Sequence, residues 1–139
     1  MKYPFRVDYR VAFRDVDLHQ VLHHSNYFYY CEKGRVELLR SMSLPYKKLM
    51  EMGIGLMLVE CNLKFIAPAK FDDILNIYIG TDKIGKSSFK IVYLMEIDGQ
   101  VVTEGFTHHV CVSLDSGKPK KLPEKLLADL KSLQIPDND

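Results

Sequence analysis

Apolar residues along the chain change period several times, and each change marks an element. From Phe5 to Arg14, Val7, Tyr9, Val11 and Phe13 share one phase, the alternation of a half-buried strand. After an acidic and histidine-rich turn, Tyr27, Tyr30, Cys31, Gly34, Leu38 and Met42 recur at steps of three and four. That spacing predicts a long helix with one apolar stripe, starting at Ser25 or Asn26 as N-cap and running through Arg40. Gly34 in mid-stripe would let another backbone approach closely. A short helical turn from Tyr46 to Met52 follows, ending before Gly53 and Gly55. Four β-rich segments come next, at about 56–66, 73–83, 87–97 and 101–114. Asp98-Gly99 is a strong hairpin signal, Gly85-Lys86 a weaker one, and Ala67-Pro68-Ala69-Lys70 reads as a strand break. A short amphipathic helix is expected near Pro123 to Ser132, followed by a flexible tail from about 134 that frays over Pro136 to Asp139.

The short connections favour antiparallel pairing. One strand, one long helix with a stripe along its whole length, then four strands, imply an α+β fold in which a curved five-stranded sheet wraps the helix. The 139 residues contain no repeat or low-complexity linker, so one domain over 1–139 is expected.

Composition narrows the function classes. A formal net charge of +1 gives no basis for nucleic-acid binding. Helical spacing also puts Tyr27, Phe28, Tyr29 and Tyr30 on different faces, which suits packing better than base stacking. Cys31, Cys61 and Cys111 are odd in number and lack CxxC spacing, so neither a disulfide framework nor a zinc knuckle is expected, and a reducing cytoplasm is the natural compartment. The N-terminus carries no apolar signal core and no later apolar run reaches membrane-spanning length, so a soluble protein is expected.

The candidate chemistry lies between Phe13 and Tyr27, where Asp15, Asp17, His19, His23 and His24 precede the long helix. The free amides and dipole at a helix start favour negative charge, so a carbonyl oxygen held there would be polarised while Asp17 supplied a carboxylate nearby. That is the outline of an acyl-transfer site. Taken alone, Asp17 could equally be a turn residue capping the helix. Asp15 reads as structural, its carboxylate bonding turn amides. His24 is open between a catalytic side chain and a residue satisfied at the helix start. The histidines could in principle ligate a metal, but His23-His24 and His108-His109 are adjacent pairs, and neighbours in a strand face opposite sides, so no metal site is expected. Cys31, on the apolar stripe, reads as a small filler and not a nucleophile.

These residues resemble a known family, the hot-dog acyl-CoA thioesterases, in the branch of 4-hydroxybenzoyl-CoA thioesterase and the Tol-Pal-associated enzymes. The resemblance covers most of the chain. It rests on Phe13, Asp15, Asp17, Val21, Leu22 and Asn26-Tyr27, on Tyr30, Glu32 and Arg35, and on the stretches Phe65–Asp73 and Ile84–Phe89. It implies a hot-dog fold and an acyl-CoA thioesterase that releases free acid and coenzyme A. Asp17 would be the catalytic nucleophile or general base, and the His24 backbone N–H would polarise the carbonyl, with the His24 side chain a further candidate. Gln20 departs from the pattern, standing where the family usually has glycine; a positive φ would explain the glycine. Leu18-His19 also replaces the small pair usual there. Lys83, Lys86 and Ser87 at the predicted hairpin are candidates for the coenzyme A phosphates, or simply a solvated turn. No redox cofactor or metal is required. A homodimer or homotetramer is expected, because one small sheet round one helix leaves long strand edges exposed. The rival readings are a thioesterase acting on acyl carrier protein and a hot-dog protein that binds acyl-CoA without turnover.

Overall fold

The computed structural model describes residues 2–136; the tail residues Asp137 to Asp139 lie outside them. The chain order is β1 (Phe5–Arg10), α1 (His24–Arg40), α2 (Tyr46–Glu51), β2 (Ile54–Phe65), β3 (Ile74–Asp82), β4 (Ser88–Ile97), β5 (Gln100–Ser113) and α3 (Glu124–Ser132). The strands form one antiparallel sheet ordered β1-β3-β4-β5-β2.

Helix α1 crosses the concave face of this curved sheet. Its expected stripe is its buried stripe: Tyr27, Tyr30, Cys31, Gly34 and Leu38 are sequestered, with Met42 just beyond the helix end. Gly34 is the contact point with the strands. A Cβ there would sit 2.6 Å from Ile79 Cδ1 and 3.4 Å from Val7 Cγ2, so any larger residue would have to displace the Ile79 side chain where α1 lies on β1 and β3. Phe89, Ile91, Tyr93 and Met95 of β4 complete the core beneath the helix. Each such side chain contributes about 1.5–3 kcal/mol by leaving water.

The β4–β5 hairpin turns on Asp98 and Gly99, both at positive φ (50° and 80°), as a two-residue primed turn requires. The break at Ala67–Lys70 separates β2 from β3, which are sequential but lie at different places in the sheet. Two expectations are corrected. The first strand stops at Arg10 instead of Arg14, because the chain then folds into a single 3-10 turn over Phe13–Asp15. Phe13 is consequently 71% exposed, its ring edge-on to Phe71, rather than on the inner face with Val11. No helix among the described residues is long and apolar enough to cross a membrane.

Candidate active site

The turn between β1 and α1 is a miniature hairpin. Val16 bridges Leu22, the Asp17 N–H donates to the Val21 carbonyl at 2.9 Å, and the Gln20 N–H donates to the Asp17 carbonyl at 2.9 Å. Gln20 closes it at φ 61°, the left-handed conformation that a glycine adopts without strain. The turn is tied to the strand end by Phe71 N–H on the Gln20 carbonyl and Leu22 N–H on that of Ala69.

Inside this turn the Asp17 carboxylate is fixed by its own backbone. Oδ1 accepts from the His19 amide at 2.8 Å and from the Val21 amide at 3.3 Å. These bonds, the His19 amide foremost, hold the carboxyl below its ordinary range, so it is ionised at neutral pH. Oδ2 makes no hydrogen bond among the described residues. One oxygen orients the group while the other stays available.

The start of α1 lies beside it. His23, not Ser25 or Asn26, is the N-cap: its Nδ1 accepts from the Ser25 amide at 3.3 Å. Asn26 is engaged elsewhere. Its side-chain amide donates to the Asp15 carbonyl at 2.8 Å, beside the His23 amide on the same oxygen at 3.1 Å. The His24 N–H has no hydrogen-bond partner among the described residues. Asp17, His23, His24, Tyr27, Phe65 and Pro68 line a common cleft of about 350 Å³. An anionic oxygen, an open helix start and an apolar wall therefore face one space.

Asp15 is structural by a route the sequence reading missed. The residue is 5% exposed, and its carboxylate accepts from the Tyr30 hydroxyl at 2.8 Å, not from turn amides, while that hydroxyl accepts from the Ala12 amide at 3.1 Å. The stripe placed Tyr30 indoors but could not show where its hydroxyl pointed. A phenol so deeply buried needs a partner, and that was the available signal.

The remaining candidates lie elsewhere. Lys83 follows β3 directly at φ 48°, and Lys86 and Ser87 lie in the same connection, where their carbonyls accept from Leu122 and Cys111. Asp17 belongs to the other end of β3, and nine residues of strand, about 30 Å, separate the two within one chain. Burial pushes the Cys31 thiol up to about 12, which removes it as a nucleophile. Among the described residues no three His, Cys, Asp or Glu side chains are grouped to hold a metal ion.

A curved five-stranded antiparallel sheet around one long helix is the hot-dog fold. The chain belongs to the thioesterase-like superfamily, whose family profile matches residues 11–130. It is 28% identical over 128 residues to the acyl-CoA thioester hydrolase YbgC of Escherichia coli O6:H1, covering 91% of this chain and 96% of that one. It is 27% identical over 124 residues to a 1,4-dihydroxy-2-naphthoyl-CoA hydrolase of Nostoc punctiforme, covering 88% and 84%. A crystal structure of the hypothetical protein AQ1494 from Aquifex aeolicus superposes with a TM-score of 0.87 at 31% identity, covering 91% of this chain and 99% of that one.

Proposed function

We propose that this protein hydrolyses an acyl-CoA thioester to the free acid and coenzyme A, with Asp17 as nucleophile or as general base toward water. The observation that carries the reading is the free Oδ2 of an ionised Asp17 sharing one cleft with the open amide of His24. Relatives named as acyl-CoA hydrolases support the substrate class. Water oxygen becomes bonded to the carbonyl carbon, the C–S bond breaks, and the departing thiolate takes up a proton. The developing oxyanion lies at the His24 N–H and the dipole of α1. The His24 ring, 4.1 Å from that of His23 and 6.5 Å from that of Phe65 between centroids, lines the same cleft, which supports its side chain as a further candidate. Neither a metal nor a redox cofactor takes part.

The working unit is a homodimer or homotetramer. β2 ends the sheet, and Met57 and Val59 on it are each about half exposed, an apolar edge that pairing with a second copy would cover. Lys83, Lys86 and Ser87, far from Asp17 within one chain, would meet the coenzyme A phosphates only if a second copy carried them to the cleft. The test is coenzyme A release over a panel of acyl-CoAs. Asp17→Asn keeps the shape and removes the charge, so kcat should fall by about a hundredfold or more with KM little changed. Asp15→Asn should cost stability before rate. A folded Asp17→Asn protein with near-parental turnover would overturn the mechanism.

A further inference from the structure

A second cavity of about 320 Å³ lies further along α1, between the helix and the β4-β5-β2 side of the sheet. Val36, Leu39, Leu56, Leu58, Phe89 and Ile91 give it apolar walls, and Arg35 and His109 give it a polar floor. The Arg35 guanidinium is half-buried, and no carboxylate lies within ion-pair distance of it among the described residues. Glu32 also lines the cavity, but it is exposed and makes no such contact. Among the described residues the guanidinium makes one hydrogen bond, from Nη1 to the Tyr93 hydroxyl at 3.1 Å.

That bond sets a direction. A guanidinium only donates, so the Tyr93 oxygen accepts from it and its proton is free for the Thr107 hydroxyl at 2.7 Å. Thr107 Oγ1 is in turn hydrogen-bonded with His109 Nε2 at 2.8 Å. Burial, with Arg35 second, lowers the His109 pKa to about 3, so the ring is a neutral end to the chain. The internal network is thus satisfied without using the other guanidinium donors. A half-buried cation lacking a counter-charge is costly, and a carboxylate, which Arg grips through two parallel N–H···O bonds, is its natural complement.

The cavity and the cleft at Asp17 lie along one face of the sheet. Directly opposed residues share a face of a sheet. Phe65, Leu63, Cys61, Leu58 and Leu56 of β2 stand opposite Thr103, Gly105, Thr107, His109 and Cys111 of β5. The concave row from the cleft at Phe65 to the cavity at Leu58 and Leu56 is therefore continuous, and α1 runs alongside from His24 to Arg35. Eleven residues of helix separate these two, about 16 Å.

Resting on the hydrolase reading above, we infer that the α1–β2 groove selects acyl-CoA thioesters whose far end carries a carboxylate. The reacting carbonyl lies at His24 and the distal carboxylate at Arg35, with the aliphatic body along the wall between them. Tyr93, itself bonded to Thr107, holds the guanidinium in place from below.

The experiment compares kcat/KM for ω-carboxyacyl-CoA and unsubstituted acyl-CoA over a series of matched chain lengths, read by coenzyme A release. In the unmodified protein the ratio should exceed one at the length that spans the groove. Arg35→Met should lower that ratio about ten- to a hundredfold, the worth of a charge-assisted hydrogen bond, and Arg35→Lys should restore part of it. An ω-methyl ester of the same chain, tested on the unmodified protein, removes the charge without any substitution and should behave as the unsubstituted chain does. An unchanged ratio in Arg35→Met, or a carboxylate disfavoured at every length while plain chains are hydrolysed, would overturn this inference and leave the hydrolase standing. Failure to cleave any acyl-CoA would overturn both.

Discussion

Replacing Tyr30 by Phe isolates one hydroxyl in the support of the catalytic turn. The ring is 1% exposed and phenylalanine refills its volume, so packing is nearly conserved. Two bonds are lost: the donation to the Asp15 carboxylate at 2.8 Å and the acceptance from the Ala12 amide at 3.1 Å. A hydrogen bond to a charged acceptor is worth about 1.5–3 kcal/mol and the amide about 1. Arg14 Nε, 3.6 Å from Asp15 on the solvent side, recovers part of the first, so the net loss should be about 2–3 kcal/mol. For a chain of 139 residues this lowers Tm by about 7–10 °C. Calorimetry or circular dichroism would measure it, with Tyr29→Phe, 42% exposed, as a control expected within about 0.5 kcal/mol of the parent. The same substitution should reach the chemistry. The Asp15 carbonyl holds both the His23 amide and the Asn26 side chain, so loosening Asp15 loosens Asp17 relative to the helix start. A fall of about tenfold in kcat with a smaller change in KM is expected. A Tyr30→Phe protein that melts within about 2 °C of the parent would refute this account of the turn.

Three further outcomes are expected. His109 binds a proton more readily unfolded, at its ordinary 6.5, than folded, at about 3, so stability present above pH 6.5 is lost as pH falls toward 3. The loss should reach about 2 kcal/mol at pH 5, and denaturant titrations of His109→Gln should show a flatter slope over that range. Because Asp17 is ionised below the usual carboxylate range, the acid limb of kcat/KM should lie below 3.8, provided the fold persists there; a limb near 6 would point to a histidine instead. Exchange of Cys31, Cys61 and Cys111 for small residues should lower stability through the buried positions, yet turnover per folded molecule should survive both this and chelation. Loss of turnover on chelation, restored by a single added metal, would revive the histidine cluster.

Local chemistry made part of this protein legible from its sequence. The stripe from Tyr27 to Leu38, Gly34 within it and the Asp98-Gly99 turn are decided by helical period, steric room and permitted φ, which neighbours in the chain largely set. In the acidic turn the expectation fell on the wrong carboxylate: the amides two and four residues on are held by Asp17, and not the turn amides by Asp15. Other features depend on what is distant in sequence and near in space. The sheet order, with β1 on β3 and β2 on β5, follows from which apolar faces close over α1, and strand alternation is the same for any order. The N-cap fell to His23 because Asn26 was drawn to the Asp15 carbonyl, and Tyr30 meets Asp15 only once the turn folds back on the helix. The Arg35–Tyr93–Thr107–His109 chain joins a helix to two strands across the core. Arg35 read as one residue of a helical pattern, and packing alone made it a half-buried cation with donors to spare, since burial and partnership belong to the assembled layers and not to any one segment.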